Sequence, residues 1–223
     1  MDNLFKKLGI NIVNSHLYDV AFLHSSYTNE KHSKEDYERL EFLGDAVLEL
    51  VVSDYLYNNY HLVEGEMTKT RANYVCEKAL STYALEFKLQ EYIKLGNGEL
   101  KAGGLEKPTI LADIFEALMG AIYLDLGFEV VKKIIVNIIK PYIDKQTNFL
   151  EDYKSKLQEL VQTEKRTVEY KLIDESGPAH NKSFTFEVVI NGIKYGSGTG
   201  ASKKIAEQNA AKEALEKLAF LNK

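Results

Sequence analysis

Residues 109–127, TILADIFEALMGAIYLDLG, constrain the fold more than any other stretch of this chain. Laid on a helix, the segment is apolar nearly all round through Ile114, Phe115, Leu118, Met119, Ile122 and Leu124, so it belongs inside a helical domain. It nevertheless carries Asp113 and Glu116 at i and i+3, on one face. Two buried carboxylates side by side are strongly unfavourable unless something positive meets them. No Lys or Arg lies within a turn of them in the same segment, which makes a metal ion a natural partner. Gly120, about one turn beyond Glu116 on the same face, leaves room for a second helix to approach. The three acids Asp113, Glu116 and Asp125 also argue against a membrane span.

A second acidic face lies upstream, in YERLEFLGDAVLEL (residues 37–50). On a helix Glu38, Glu41 and Asp45 fall within about 60° of one another, opposite Leu40, Leu43, Val47 and Leu50. Like charges at this spacing repel, so the stripe needs a cause. If the two faces meet, Glu41, Asp45, Asp113 and Glu116 form an all-oxygen cluster of the kind preferred by Mg²⁺, with Mn²⁺ as substitute. Such ions serve phosphodiester hydrolysis, singly or as a pair about 3.5–4 Å apart. An E-x-x-E by itself is ordinarily a solvated helix face; a D-x-x-E inside an apolar helix is harder to explain that way. Phe42 projects from the acidic side of the same helix, which fits either ordinary packing against a neighbouring helix or a surface buried against a partner.

Segments 17–27, 37–60, 68–88, 109–125 and 128–145 all show helical spacing, so residues 1–146 are expected to form an all-α domain. The pattern changes after a short polar linker at 146–151. A helix at 152–164 is followed by TVEYKLIDE, which alternates Val168, Tyr170 and Leu172, then SFTFEVVI, an Asn191-Gly192 turn and a Gly-rich strand, KYGSGTG. A last helix begins after Gly200 with Ser202 at its cap. Residues 151–221 thus read as a small α+β unit of order α-β-β-β-α. The formal charge of −5 points away from nucleic acid. It is unevenly spread, however: residues 151–223 carry 12 Lys+Arg and 11 Asp+Glu, the rest 16 and 22. The single cysteine, Cys76, excludes a disulfide scaffold and a Cys-based zinc site and fits a reducing compartment. The N-terminus MDNLFKKLGI shows no signal-peptide pattern, so the expected location is the cytoplasm.

ERLEFLGDAVLEL, together with LHSSYTNE, MTKTRANYV, LGNGE and LADIFEALMGAIYLDLG in that order, resembles the signature of the bacterial ribonuclease III family. The resemblance implies that Glu41, Asp45, Asp113 and Glu116 are metal-binding catalytic acids. It makes Glu38 a further acid that contacts RNA or shapes the site, and Glu64 an accessory acid. It also implies a homodimer with Phe42 at the interface. The implied activity is hydrolysis of double-stranded RNA to staggered ends with 5′-phosphate and 3′-hydroxyl, in maturation of ribosomal and other structured RNA precursors. Two positions depart from the family pattern: Tyr37 stands where Asn is frequent, and the loop before Asp113 reads Gly103-Gly104-Leu105-Glu106-Lys107, poorer in Arg.

KSKLQELVQ, GPAHNKSFTFEV and GSGTGASKKIAEQNAAKEAL resemble a double-stranded-RNA-binding domain. Such modules read A-form shape over about 16 bp. The resemblance points to Ser155, Gln158 and Gln162 on the first helix, His180 in the loop after the first strand, and Ser202, Lys203 and Lys204 at the start of the last helix, where cations and backbone N–H groups suit phosphates. Two other readings are open to such a chain. A duplex-binding protein without catalysis would be expected to lack at least one of the four acids, and none is missing. A helical metal-storage protein would need Glu-x-x-His motifs, which are absent. No P-loop or dinucleotide fingerprint calls for a small-molecule cofactor, and His24 in LHSSY reads as structural.

Overall fold

The buried helix predicted around residue 115 is the axis of the larger of two units. A computed structural model describes residues 1–32, 35–150, 152–178 and 182–221. The chain divides into Met1–Leu150 and Glu151–Lys223. The first unit contains α1 (Asp2–Leu8), α2 (Ser15–Ala21), α3 (Ser25–Lys31), α4 (Glu38–Asn59), α5 (Glu64–Val75), α6 (Glu77–Glu86), α7 (Asn97–Lys101), α8 (Pro108–Leu126) and α9 (Phe128–Asp144).

Helix α8 starts at Pro108, whose missing N–H costs nothing in the first turn. It buries Ile110, Leu111, Ile114, Phe115, Leu118, Met119 and Ile122. The closest crossing is with α4. A Cβ on Gly44 would lie 1.8 Å from the Glu116 carbonyl oxygen, and one on Gly120 would lie 2.3 Å from that of Leu40. The two backbones therefore touch, with no space for even a methyl group between them. Beyond the contact, Val47, Leu48, Val51 and Val52 of α4 are buried in the same core. Asp125, at the far end of α8, accepts from the backbone N–H groups of Val13 and Asn14 at 3.0 and 2.8 Å and from the Tyr18 hydroxyl at 2.9 Å. That acid fastens the N-terminal segment and takes no part in the acidic face.

In the first unit the structure corrects three expectations. The expected helix 17–27 is two helices, α2 and α3. The break lets the His24 N–H donate to the Lys94 carbonyl (3.2 Å) and the His24 ring cap α3 by accepting from the Ser26 N–H (3.1 Å). The expected helix 68–88 is likewise broken at Cys76, which is extended (φ −74°, ψ 158°) and turns the chain from α5 into α6. Residues 147–150, expected to be polar linker, are tied to the first unit. The Asn73 side chain accepts from the N–H groups of Phe149 and Leu150, both at 2.8 Å, and Phe149 is buried beside Tyr74, Tyr83 and Tyr142.

The second unit contains α10 (Tyr153–Thr163), β1 (Val168–Ser176), β2 (Ser183–Ile190), β3 (Ile193–Gly200) and α11 (Lys203–Leu221), with an antiparallel sheet of order β1-β2-β3. Asn191 and Gly192 both have positive φ, 48° and 81°, as a two-residue hairpin turn requires. Leu157 and Val161 of α10, Phe184, Phe186 and Val188 of β2, and Ala206, Ala210 and Ala214 of α11 form the core. Gly196 and Gly198 of β3 face the alanine stripe of α11. A Cβ on Gly198 would lie 2.1 Å from the Ala210 nitrogen. Leu172 does not continue the buried alternation: β1 shifts register between Leu172 and Asp174, the core reaches Val168 and Tyr170 only, and Leu172 is 42% exposed.

The Gly44–Glu116 approach gives the first prediction. Gly44→Ala must force α4 and α8 apart and should lower stability by about 3 kcal/mol or more, read as the shift of the urea-unfolding midpoint. A midpoint unchanged within error would contradict the close crossing.

Candidate active site and RNA interface

Glu38 and Glu41 occupy the first turn of α4, where the helix dipole favours negative charge and offsets part of their mutual repulsion. Asp113 and Glu116 lie on the α8 face that α4 crosses. One carboxylate oxygen from each of Glu41, Asp113 and Glu116 falls within 4.8 Å of the others, and all three residues are half-buried. No Lys or Arg pairs with any of them among the described residues. The Tyr37 hydroxyl donates to Asp113 Oδ2 at 3.2 Å.

Burial and mutual repulsion mark this site electrostatically. Burial first, then the charges of Asp45, Glu41 and Asp113, pushes Glu116 up to about 8. Burial, then Asp113, Glu38 and Asp45, pushes Glu41 up to about 7. Asp113 is raised by burial, against which the Tyr37 hydrogen bond and the nearby His24 act. Three oxygen donors, close together and lacking a cation from the protein, fit a hard divalent ion.

The other acids stand apart from this trio. Asp45, one turn along α4 from Glu41, is exposed; its charge is felt by Glu41 and Glu116, but its carboxylate is outside the 4.8 Å group. Glu38 is exposed, and its N–H donates to Asp36 Oδ1 at 3.1 Å. Glu64 is exposed at the start of α5 and accepts from the Thr68 hydroxyl at 3.0 Å, with no link to the trio. Phe42 is 81% exposed, so it is not a core side chain of its own unit. In the loop before α8, Lys107 is paired with Glu99 at 2.6 Å.

In the second unit, α11 opens with Ser202 Oγ accepting from the Ile205 N–H at 3.3 Å. Lys203 and Lys204 follow, both exposed. Lys203 Nζ lies 5.7 Å from the centre of the Phe184 ring and 4.0 Å from Glu175. Gln158 and Gln162 are exposed on α10. Ser155 is different: its hydroxyl donates to Asp152, and its N–H donates to Asp152 Oδ1 at 3.1 Å, so it helps close the cap of α10. His180 lies outside the described residues.

Comparison with known proteins matches a family to each unit. The Ribonuclease-III-like family model matches residues 14–143, and the double-stranded RNA binding motif matches residues 153–218. Ribonuclease 3 of Onion yellows phytoplasma (strain OY-M) is 49% identical over 220 residues, covering 98% of this chain and 92% of the relative. Ribonuclease 3 of Listeria innocua is 48% identical over 223 residues, covering 97% of each. The crystal structure of the nuclease domain of ribonuclease III from Campylobacter jejuni superposes with a TM-score of 0.59 at 38% identity, covering 63% of this chain and 94% of that one. The chain belongs to the ribonuclease III family. Its activity is that of an endoribonuclease acting on double-stranded RNA, and duplex RNA is its partner.

Two features of this ribonuclease III family member were not selected from the sequence. Tyr37 was noted only as a departure from the common Asn, because a contact across 76 residues leaves no local signal. Lys182 joins Lys203 at the sheet end: both pair with Glu175 and both lie within 6 Å of the Phe184 ring centre, at 5.9 and 5.7 Å. Its position in GPAHNKSF, beside the proposed loop contact, was the available clue.

The raised carboxyls give a pH prediction. Between the ordinary carboxylate range and about pH 8, the folded state holds protons that the unfolded chain has released, so stability without divalent ions falls as pH rises. Glu116→Gln should flatten this slope and stabilise the metal-free protein at pH 8 by about 1–3 kcal/mol. Urea unfolding at pH 5.5 and pH 8 with chelator present measures it; a flat wild-type profile would contradict it.

Proposed function

We propose that this chain cuts duplex RNA at the acid cluster between α4 and α8, with Mg²⁺ as the working ion and Mn²⁺ as substitute. The observation that carries this reading is the approach of Glu41, Asp113 and Glu116 to within 4.8 Å with no protein cation among them. Asp45 is proposed as the fourth metal-binding acid, with Glu38 as a further acid at the site and Glu64 as an accessory acid. A divalent ion supplies activation of water and stabilisation of the charge that builds on the phosphate. The chain's own part is to hold the carboxylates half-buried and mutually close, so that a doubly charged ion relieves their repulsion. The four acids themselves repel the RNA backbone, and a cation reverses that sign at the scissile phosphate.

The products on this reading are staggered ends with 5′-phosphate and 3′-hydroxyl, and the substrates include ribosomal RNA precursors and other structured RNAs. Stagger requires two sites on one duplex, which a two-fold homodimer provides. Exposed Phe42 supports such an interface, as does a cleft on the same unit where Leu17, Val20, Leu43 and Leu124 lie beside His16, Glu35, Asp36 and Arg39. For the Campylobacter jejuni nuclease domain, a region involved in dimer formation is described. Residues 1–146 would catalyse and dimerise. Residues 151–221 would hold the duplex through Ser155, Gln158, Gln162, His180, Ser202, Lys203 and Lys204. No helix among the described residues is long and apolar enough to cross a membrane, and one free cysteine suits the reducing cytoplasm.

The deciding experiment is cleavage of a long RNA duplex with Mg²⁺. Wild type should give staggered ends, and Glu116→Ala should lose about 10²-fold or more in rate while still binding duplex. Phe42→Glu should sediment as a monomer and lose paired cutting. Binding without cleavage by wild type would leave only a duplex-binding protein. Separately, Lys203→Ala with Lys204→Ala should weaken duplex binding most at low salt and make the log–log salt dependence shallower by about 1–2. An unchanged slope in a salt titration would remove both lysines from phosphate contact.

A further inference from the structure

Tyr37 closes the loop before α4 and is 5% exposed. Among the described residues its hydroxyl makes the one hydrogen bond to a carboxylate of the Glu41–Asp113–Glu116 trio, 3.2 Å to Asp113 Oδ2. The phenol is itself held on two sides. Its backbone N–H donates to the Leu23 carbonyl at 3.0 Å, and its ring lies against His24, centroids 5.4 Å apart at 34°. The His24 ring is locked in turn: Nδ1 accepts from the Ser26 N–H at 3.1 Å and lies 2.8 Å from Ser26 Oγ, which also accepts from the Gly96 N–H at 2.9 Å.

This chain of contacts ends on a carboxylate, and its direction matters. An ionised carboxylate can only accept, so in this contact the phenol hydroxyl is the donor and Asp113 Oδ2 the acceptor. A carboxylate has roughly four lone-pair sites, so one phenol donor leaves the others for a cation. Partners outside the ligand set commonly orient ligands and tune affinity in this way.

We infer that Tyr37 is a positioning residue: its hydroxyl fixes the Asp113 carboxylate in the orientation from which Asp113, Glu41 and Glu116 share one cation. The inference rests on the reading of that trio as a cation site. His24 and Ser26 act one step further out, by fixing the ring that carries the hydroxyl.

The test uses the full chain and Mn²⁺ alone as probe, with free ion counted by electron paramagnetic resonance. Tyr37→Phe keeps the ring and its stacking and removes only the donor. It should bind Mn²⁺ about 10-fold more weakly. Its thermal midpoint, and its duplex affinity without divalent ions, should match wild type. Cleavage should fall at low Mg²⁺ and recover as Mg²⁺ is raised. Equal Mn²⁺ affinity in the two proteins would overturn the inference and leave the metal site standing. Parallel losses of Mn²⁺ affinity, thermal midpoint and duplex affinity would also overturn it, since Tyr37 would then only support the fold. No Mn²⁺ binding by wild type would overturn the metal-site reading as well.

Discussion

Everything at the candidate active site depends on the contact between Gly44 and the backbone of Glu116. A helix pair with ordinary side chains between its backbones packs 8–10 Å apart. Here two glycines, Gly44 on α4 and Gly120 on α8, remove the intervening side chains, and each faces a carbonyl of the other helix. Glu41 is carried to Asp113 and Glu116 by that approach. The apolar residues further along α4 and α8 hold the crossing from the buried side, so core packing and site geometry are one construction.

That construction works against the stability of the fold without metal. Packing energy from the core of α8 forces carboxylates into surroundings that favour their neutral forms, as the upward displacement of Glu41, Asp113 and Glu116 reports. A site in this condition binds a divalent ion more readily than a dispersed set of surface acids would. A cation held there would compete with protons for the same oxygens, so its affinity would be coupled to pH. Asp125 is the counterexample within the same helix: three donors meet it, and its carboxyl is held below the usual range.

The second unit solves a different problem by similar means. Gly196 and Gly198 let α11 lie directly on β3, with Ala206, Ala210 and Ala214 as the matching small residues. The tight seat fixes where α11 begins, and therefore where Lys203 and Lys204 emerge. Shape recognition of A-form RNA needs cations at fixed separation more than it needs many of them. A unit with nearly balanced charge can meet that need only by placement, the role proposed above for Lys203 and Lys204.

Much of this was legible in the sequence because it is written in local periodicity. The buried helix with Asp113 and Glu116, the acidic stripe from Glu38 to Asp45, the Asn191-Gly192 turn and the Ser202 cap all follow from spacing and residue type. The breaks at Phe22–His24 and Cys76 did not, because apolar periodicity continues across a corner when both helices face one core. Leu172 was misplaced because a register shift in β1 cannot be seen in the alternation that precedes it. The sequence by itself determined which acids exist, which helices carry them and which small residues permit a close crossing. Only the tertiary structure decided that Glu41 joins Asp113 and Glu116 while Asp45 stands outside the group, that Tyr37 donates to Asp113, and that Ser155 is turned to Asp152. Those outcomes depend on interhelical distances of a few ångströms and on rotamers fixed by neighbours distant in the chain, which local spacing does not encode.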